Sequence, residues 1–260
     1  MKKIKLLVTS DIHYHNESNL NWLEEISKSN KIDNLVIAGD LGDGNLFEDA
    51  LFCLSEIFYN THTNIYVICG NYDLWHDYKT INEMINFRYK QCIKYNVNFI
   101  TNPIELEIFN LTWILAMNWY DYEIPDKLLS NDFYWNSKEI YNDDAKFIHF
   151  DSTFYDENPD ITLSNKLATN IITALEKNKH KSVGIITHIP LNSIQTMYST
   201  AVQKYGKVSP AYFINGKLGE YINKFSNIKK IIAGHIHNHQ ITIINNIEII
   251  TIFNEHYYSE

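Results

Sequence analysis

The sequence predicts an α/β fold built on a mixed sheet, and three observations carry the prediction. Short apolar runs rich in β-branched residues, such as NLVIA at 34–38 and IYVIC at 65–69, alternate with longer amphipathic segments. Buried strands separated by helices produce that alternation. Each of the first three runs stops at a polar residue able to bind a metal: Ser10-Asp11, Gly39-Asp40 and Gly70-Asn71. Further along, IELEIF at 104–109 and TWILAM at 112–117 flank Asn110 as a hairpin, which makes the sheet mixed.

Taken in order, residues 3–9 (KIKLLVT) read as the first strand. Leu20, Leu23 and Ile26 at helical spacing predict a helix over 20–29, and Phe47, Leu51, Leu54 and Phe58 predict a second over 47–58. With the strands at 34–38 and 65–69, the first half is β-α-β-α-β, and a further helix is predicted over 81–95. From 118 to about 164 the periodicity fails and the composition turns to Tyr, Trp, Phe and Asp; long irregular segments inside a compact domain are usually functional. A helix at 166–178, a strand at 182–187, a helical stretch at 212–225 and strands at 230–233, 240–244 and 248–253 complete the chain. No internal repeat or linker interrupts the pattern, so 1–260 is read as one domain with an aromatic-rich insertion at about 118–164. The C-terminal Tyr257-Tyr258 carries no readable signal.

Composition restricts the function. The formal charge is -9, from 22 basic and 31 acidic side chains, which opposes the phosphate-backbone attraction that nucleic-acid binders depend on. Arg88 is the sole arginine, so a bidentate guanidinium clamp on phosphate is available at one place at most. Strong phosphate binding must come from elsewhere, and metal ions are the obvious supplier. Cys53, Cys69 and Cys92 have no paired spacing and read as reduced core residues. The N-terminal apolar run is too short for a signal-peptide core, and no segment approaches the roughly 20 apolar residues of a membrane span. A cytoplasmic location without membrane attachment is expected.

The polar groups that follow predicted strands are Asp11-Ile12-His13, Gly39-Asp40-Leu41-Gly42-Asp43, Gly70-Asn71-Tyr72-Asp73, Thr187-His188 and Gly234-His235-Ile236-His237. In open α/β sheets the ligand crevice lies beyond the carboxyl ends of the strands, so these loops should converge. Residues two apart on an extended segment share a side, which lets Asp11 with His13, and His235 with His237, each offer two ligand atoms. Gly39, Gly70 and Gly234 should allow sharp turns and close approach. Imidazole, carboxylate and amide oxygen together suit Mn, Fe, Zn or Co. Two such ions could share Asp40.

The ordered set D-x-H, GDxxD, GN-x-D, a lone His after a strand, and GHxH resembles the calcineurin-like metallophosphoesterases, from residue 11 to residue 237. The resemblance implies a four-layer αββα sandwich of two mixed sheets flanked by helices. It also implies a first metal held by Asp11, His13, Asp40 and His237, and a second held by Asp40, Asn71, His188 and His235. The implied activity is hydrolysis of a phosphate ester, mono- or diester, by a hydroxide bridging two divalent metals, with manganese the first to test in vitro.

Three departures from the family pattern bear on function. Tyr72 stands where the family often has a His that protonates the leaving oxygen, and a Tyr near pKa 10 is a weaker acid than an imidazolium near 6.5. Tyr72 and nearby His76 are therefore the candidate proton donors, and good leaving groups should be favoured. Gly44 follows Asp43 where phosphoprotein phosphatases carry Arg, which disfavours a serine/threonine protein phosphatase. Thr187 replaces a more usual Gly before His188.

Taken singly, each motif has a plainer reading. A Gly-Asp or Gly-Asn dipeptide is ordinarily a turn, and only the ensemble overrides that. His15 and His239 read as solvent-facing bystanders; Asp43 and Asp73 read as residues that orient ligands, or else as helix caps. Trp119, Tyr120, Tyr122, Phe133, Tyr134 and Trp135 either line a substrate pocket or cap the core. The expected partner is a small phosphate ester, nucleic acid is disfavoured, and the alternatives are a nuclease of the same fold or a catalytically silent interaction scaffold.

Overall fold

The computed structural model describes residues 2–75, 80–123, 159–191, 209–253 and 257–259. The N-terminal half runs β1 (Lys2–Ile4), β2 (Leu6–Thr9), α1 (Asn21–Ser29), β3 (Asn30–Ile32), β4 (Asn34–Ile37), α2 (Leu46–Ile57), β5 (Asn64–Ile68), α3 (Ile81–Lys94) and β6 (Asn98–Ile100). It continues with β7 (Ile104–Ile108), β8 (Leu111–Leu115), α4 (Pro159–Lys177), β9 (Val183–Thr187), α5 (Gly216–Ile222), β10 (Ile228–Ala233), β11 (Gln240–Ile244), β12 (Ile247–Thr251) and β13 (Tyr257–Ser259). Thr80 starts α3 with a reciprocal cap, its side chain accepting from the Glu83 N–H while Glu83 reaches back to the Thr80 N–H.

Strand alternation explains the layering. In the five-stranded sheet, ordered β13-β2-β4-β5-β6, Leu7, Leu35, Ile37 and Val67 face the helices and pack with Leu23, Leu51, Leu54 and Met84. Their neighbours Leu6, Val8, Val36, Ala38 and Ile68 point the other way. There they meet Trp113, Leu115, Ile186, Ile232 and Ile250 of the six-stranded sheet, ordered β11-β12-β10-β9-β8-β7. The outer face of that sheet, with Ile114, Ile185 and Ile231, is covered by Ile171 and Leu175 of α4 and Leu218 and Ile222 of α5. The result is the four-layer αββα sandwich of two mixed sheets. Its middle layer is built on these aliphatic residues and Trp113, and each fully buried Leu or Ile there contributes about 1.5–3 kcal/mol.

Several elements differ from the sequence reading. The run at 3–9 breaks at Lys5 into β1, which pairs with β3 in a separate two-stranded sheet, and β2, which joins the main sheet. Helix α4 begins at Pro159, seven residues before the predicted start at 166, consistent with the fit of proline to the first helical turn. The helical stretch predicted at 212–225 is a 3-10 turn at Ser209–Tyr212 followed by the short α5. Tyr257–Ser259, which carried no readable signal, pairs antiparallel with β2 at the sheet edge. Trp119, Tyr120 and Tyr122 are fully buried beside Tyr212 in the helix-side core, so these three pack rather than line a pocket. His76 and residues 124–158, including Phe133, Tyr134 and Trp135, lie outside the described residues.

What matters for the site is strand direction. β2, β4 and β5 are mutually parallel, as are β9 and β10, so five carboxyl ends carry the five predicted motifs.

Candidate metal centre

The loops meet through cross-sheet hydrogen bonds. The His235 N–H donates to both carboxylate oxygens of Asp11 at 3.0 Å, and His188 Nδ1 lies 2.8 Å from the Ala38 carbonyl. The Asp11 N–H donates to the Gly39 carbonyl and the His13 N–H to the Asp40 carbonyl, at 3.1 and 3.0 Å.

The predicted i, i+2 pairs do converge, but not on extended backbone. Asp11, His13, Asp40, His235 and His237 all have positive φ, between 43° and 71°. Left-handed non-glycine residues cost about 1–2 kcal/mol each and persist only where surrounding contacts over-determine them. The cross-sheet hydrogen bonds supply that constraint, and the turns throw the side chains together.

Gly234 shows how tight the junction is. A Cβ there would lie 1.8 Å from Ser10 Oγ and 2.4 Å from Asp11 Oδ2. Gly234→Ala is expected to lower stability by about 1–3 kcal/mol through this overlap and to weaken metal binding by displacing Asp11. Thermal melts with and without added divalent metal check both effects; an unchanged melt in both conditions would refute the tight-junction account.

Seven side chains gather at the strand ends. Asp11, His13, Asp40 and His237 place one ligand atom each within 4.8 Å of one another, and Asp40, His188 and His235 do the same. His13 Nε2 and His237 Nε2 face each other at 2.9 Å, with Asp11 Oδ1 3.5 Å from the latter. On the other side of Asp40, His188 Nε2 lies 3.1 Å from both Asp40 Oδ2 and Asn71 Oδ1. Asp40 Oδ1 accepts the Tyr72 N–H at 3.0 Å, whereas the buried Oδ2 has no hydrogen-bond partner among the described residues.

The donor set fits divalent cations. A buried carboxylate oxygen without a hydrogen bond is costly unless something else satisfies it, and Asp40 Oδ2 sits between the two groups. Ring orientation is fixed as metal ligation requires. A carbonyl oxygen only accepts, so the nitrogen facing it carries the proton: His188 donates from Nδ1 to Ala38 and turns Nε2 inward. His235 Nε2 donates to the Tyr212 carbonyl at 3.0 Å, leaving Nδ1 to the site. Phe253 stacks on His237 at 4.6 Å.

The titration shifts describe a centre arranged for positive charge. Burial works against the imidazolium of His188, yet the Asp40 carboxylate raises its pKa to about 9. Burial followed by the His188 charge pushes His235 down to about 3, which keeps it neutral. Burial alone would raise the Asp40 pKa, but the His188 charge 3.1 Å away overcomes it and holds the carboxyl well below its ordinary range.

Supporting residues complete the frame. The buried Asp73 carboxylate accepts the N–H groups of Gly70, Asp40, Leu41 and Gly42 at 2.8 to 3.3 Å, so it ties the Asn71 loop to the Asp40 loop. Burial and the Asp40 charge push its pKa up to about 7, while its four contacts, all N–H donors, favour the ionised form. Asp73 therefore ties together the two loops that carry Asp40 and Asn71 and is not a helix cap. Arg88 is fully buried and donates to the carbonyls of Asp73 and Gly44, away from any phosphate position. Sequence reasoning singled it out only as a phosphate clamp. His239 and His15 are exposed, and His15 joins His13, Tyr14, Asp43, Tyr72 and His237 around a cavity of about 290 Å³ beside the centre.

Two packed mixed sheets with imidazoles and carboxylates collected at their strand ends define an α/β architecture with a candidate metal centre in its crevice. The calcineurin-like phosphoesterase family matches residues 4–239, and the chain belongs to that family of metal-dependent phosphoester hydrolases. No curated protein gives a significant sequence match. Among solved structures, the fold is similar to phosphopantetheinyl hydrolase from Mycobacterium tuberculosis, at a TM-score of 0.71 and 14% identity, covering 97% of this chain and 90% of that one. It is also similar to a dimetal phosphatase from Danio rerio, at a TM-score of 0.56 and 13% identity over 96% and 87% of the two chains.

Proposed function

We propose that the chain is a binuclear phosphoesterase acting on a small phosphate ester. The observation that carries this reading is the pair of ligand groups sharing Asp40, whose inward oxygen is buried without a hydrogen bond. Asp11, His13, Asp40 and His237 would hold one ion, and Asp40, Asn71, His188 and His235 the other, with Mn, Fe, Zn or Co as candidates. Divalent ions bound there would supply Lewis-acid activation of water and of the phosphoryl oxygens.

The chain's own residues perform the rest. Ala38 and Tyr212 hold His188 and His235 in single ring orientations through their carbonyls. Asn71, 3.1 Å from His188, is placed to stabilise developing negative charge on the phosphoryl group. Tyr72 lines the cavity with its ring T-shaped against His13 at 4.4 Å, which supports it as the group that hands a proton to the departing oxygen. Among the described residues the lining of the cavity contains no lysine or arginine, and the sole arginine is buried, which supports a small ester over a nucleic acid. The free cysteines, half-buried at Cys53 and buried at Cys69 and Cys92, support residence in the cytoplasm.

The testing experiment is hydrolysis of p-nitrophenyl phosphate, bis-p-nitrophenyl phosphate and a series of aryl and alkyl phosphates, with metals added back to chelator-treated protein. Turnover should require metal, and with Tyr72 as a weak acid the rate should fall as the leaving-group pKa rises. A flat leaving-group series would show that the leaving oxygen is efficiently protonated and would overturn the expected preference for good leaving groups, and metal-independent turnover would overturn the binuclear reading.

A further inference from the structure

We propose that the cavity beside the metal centre receives the organic part of an ester carrying positive charge, an alkylammonium or quaternary ammonium group. This rests on the phosphoesterase reading, since His13 and His237 form one wall of the cavity and place any occupant next to the proposed phosphoryl position. Among the described residues the rest of the lining is Tyr14, His15, Asp43 and Tyr72.

Tyr14, Tyr72 and Asp43 supply the chemistry of a cation site. The Tyr14 hydroxyl is engaged with Cys53 Sγ at 3.2 Å, so the cavity sees the ring and not the hydroxyl. The Tyr72 ring is stacked on Trp75 with centroids 3.4 Å apart and braced by His13, which makes that wall stiff. Aromatic rings set around a small cavity attract quaternary ammonium groups through the negative ring face. Asp43 adds a formal negative charge. It is half-buried, and among the described residues its carboxylate has no hydrogen bond or ion pair. Elsewhere acids such as Glu48, Glu105 and Glu107 pair with Lys94, Lys177 and Lys181. Arg88 feels the Asp43 charge but is committed by hydrogen bonds to the carbonyls of Asp73 and Gly44. At about 290 Å³ the cavity is at the small end for ligand sites, matching a compact head group.

The test compares phosphocholine with its neutral isostere neohexyl phosphate, together with the p-nitrophenyl diesters of the same two alcohols. The readout is the ratio of kcat/KM for the charged over the neutral member in each protein, which cancels any general loss of activity. Wild type should prefer the charged member about tenfold, and Asp43→Asn should bring the ratio close to one. A wild-type ratio near or below one overturns the proposal, as does a preference that Asp43→Asn leaves intact. If neither ester nor p-nitrophenyl phosphate is hydrolysed, the phosphoesterase reading itself has failed. Calorimetric titration with choline then decides the cavity separately: binding that Asp43→Asn weakens supports it, and absent or unchanged binding overturns it.

Discussion

Asp40→Ala should abolish metal-dependent phosphoesterase activity and remove metal from the protein. Asp40 is the one side chain common to both ligand groups, and its Oδ2 faces the site without any protein hydrogen bond. Removing it takes the shared anion from between His13, His188 and His237 and leaves imidazoles that repel one another when protonated. Metal ions contribute several kcal/mol of transition-state charge stabilisation, so the loss in kcat/KM should be on the order of a thousandfold or more.

Asp40→Asn is the sharper variant, because its amide oxygen can still accept the Tyr72 N–H that Asp40 Oδ1 accepts at 3.0 Å. It keeps the shape and removes the charge. Added metal should raise the melting temperature of wild type by mass action and leave that of Asp40→Asn unchanged. Metal content measured after dialysis gives the direct check. A variant that retains two ions per chain would show that Asp40 is not the bridge.

The site was legible because its chemistry is written at strand ends. Each ligand-bearing motif follows a short apolar run, and polarity at the carboxyl end of a buried strand is visible without knowing the fold. The manner of convergence was not. Nothing in the letters Asp11, His13 or His237 signals a left-handed backbone, since such a conformation is imposed by neighbouring loops and not by the residue's own preference. The split of 3–9 at Lys5 escaped for a related reason: both halves are strand-like, and only pairing with two different sheets separates them. β13 carries two tyrosines at a chain end with no alternation to read, and β2 supplies its register from across the sheet. Trp119, Tyr120 and Tyr122 could have lined a pocket on composition alone, and the burial around Tyr212 decided against it. Asp73 was identified as an orienting residue, but its four N–H partners come from two loops, a contact pattern beyond sequence periodicity.

Arg88 was the least legible of the supporting residues, and its replacement should have the second-largest effect. In the sequence it sits within an ordinary amphipathic helix, 44 residues from Gly44 and 15 from Asp73. In the fold its Nε donates to the Asp73 carbonyl at 2.5 Å, and its NH1 to the Gly44 carbonyl at 2.8 Å and to Gln91 Oε1 at 2.9 Å. Its guanidinium carbon lies 4.5 Å from the centre of the Phe47 ring. One planar group thus clamps the Asp40-to-Gly44 loop to the Asn71-to-Asp73 loop. A lysine has the charge without the fork and cannot reproduce both bonds.

The outcome follows from what each substitution leaves behind. Arg88→Met strands the buried Asp73 carbonyl, a half-buried Gly44 carbonyl and an amide oxygen, at about 1–3 kcal/mol for each group left buried and unsatisfied. Part of that is offset, because the guanidinium's own burial is unfavourable and its Nη2 has no hydrogen-bond partner among the described residues. A net loss of about 2–4 kcal/mol is expected, which for a chain of this size lowers the melting temperature by roughly 5–15 °C. With the clamp gone, Asp40 and Asn71 can drift apart, and metal affinity should fall about 10- to 100-fold, as when a partner orienting a ligand is lost. Because Arg88 touches neither substrate nor ligand atom, saturating metal should restore most of kcat in Arg88→Met, whereas no concentration of metal should rescue Asp40→Ala. Arg88→Lys should fall between wild type and Arg88→Met in both melting temperature and metal affinity. Wild-type affinity in Arg88→Met would show that the two loops hold their register without the clamp, leaving Asp73 to maintain it alone.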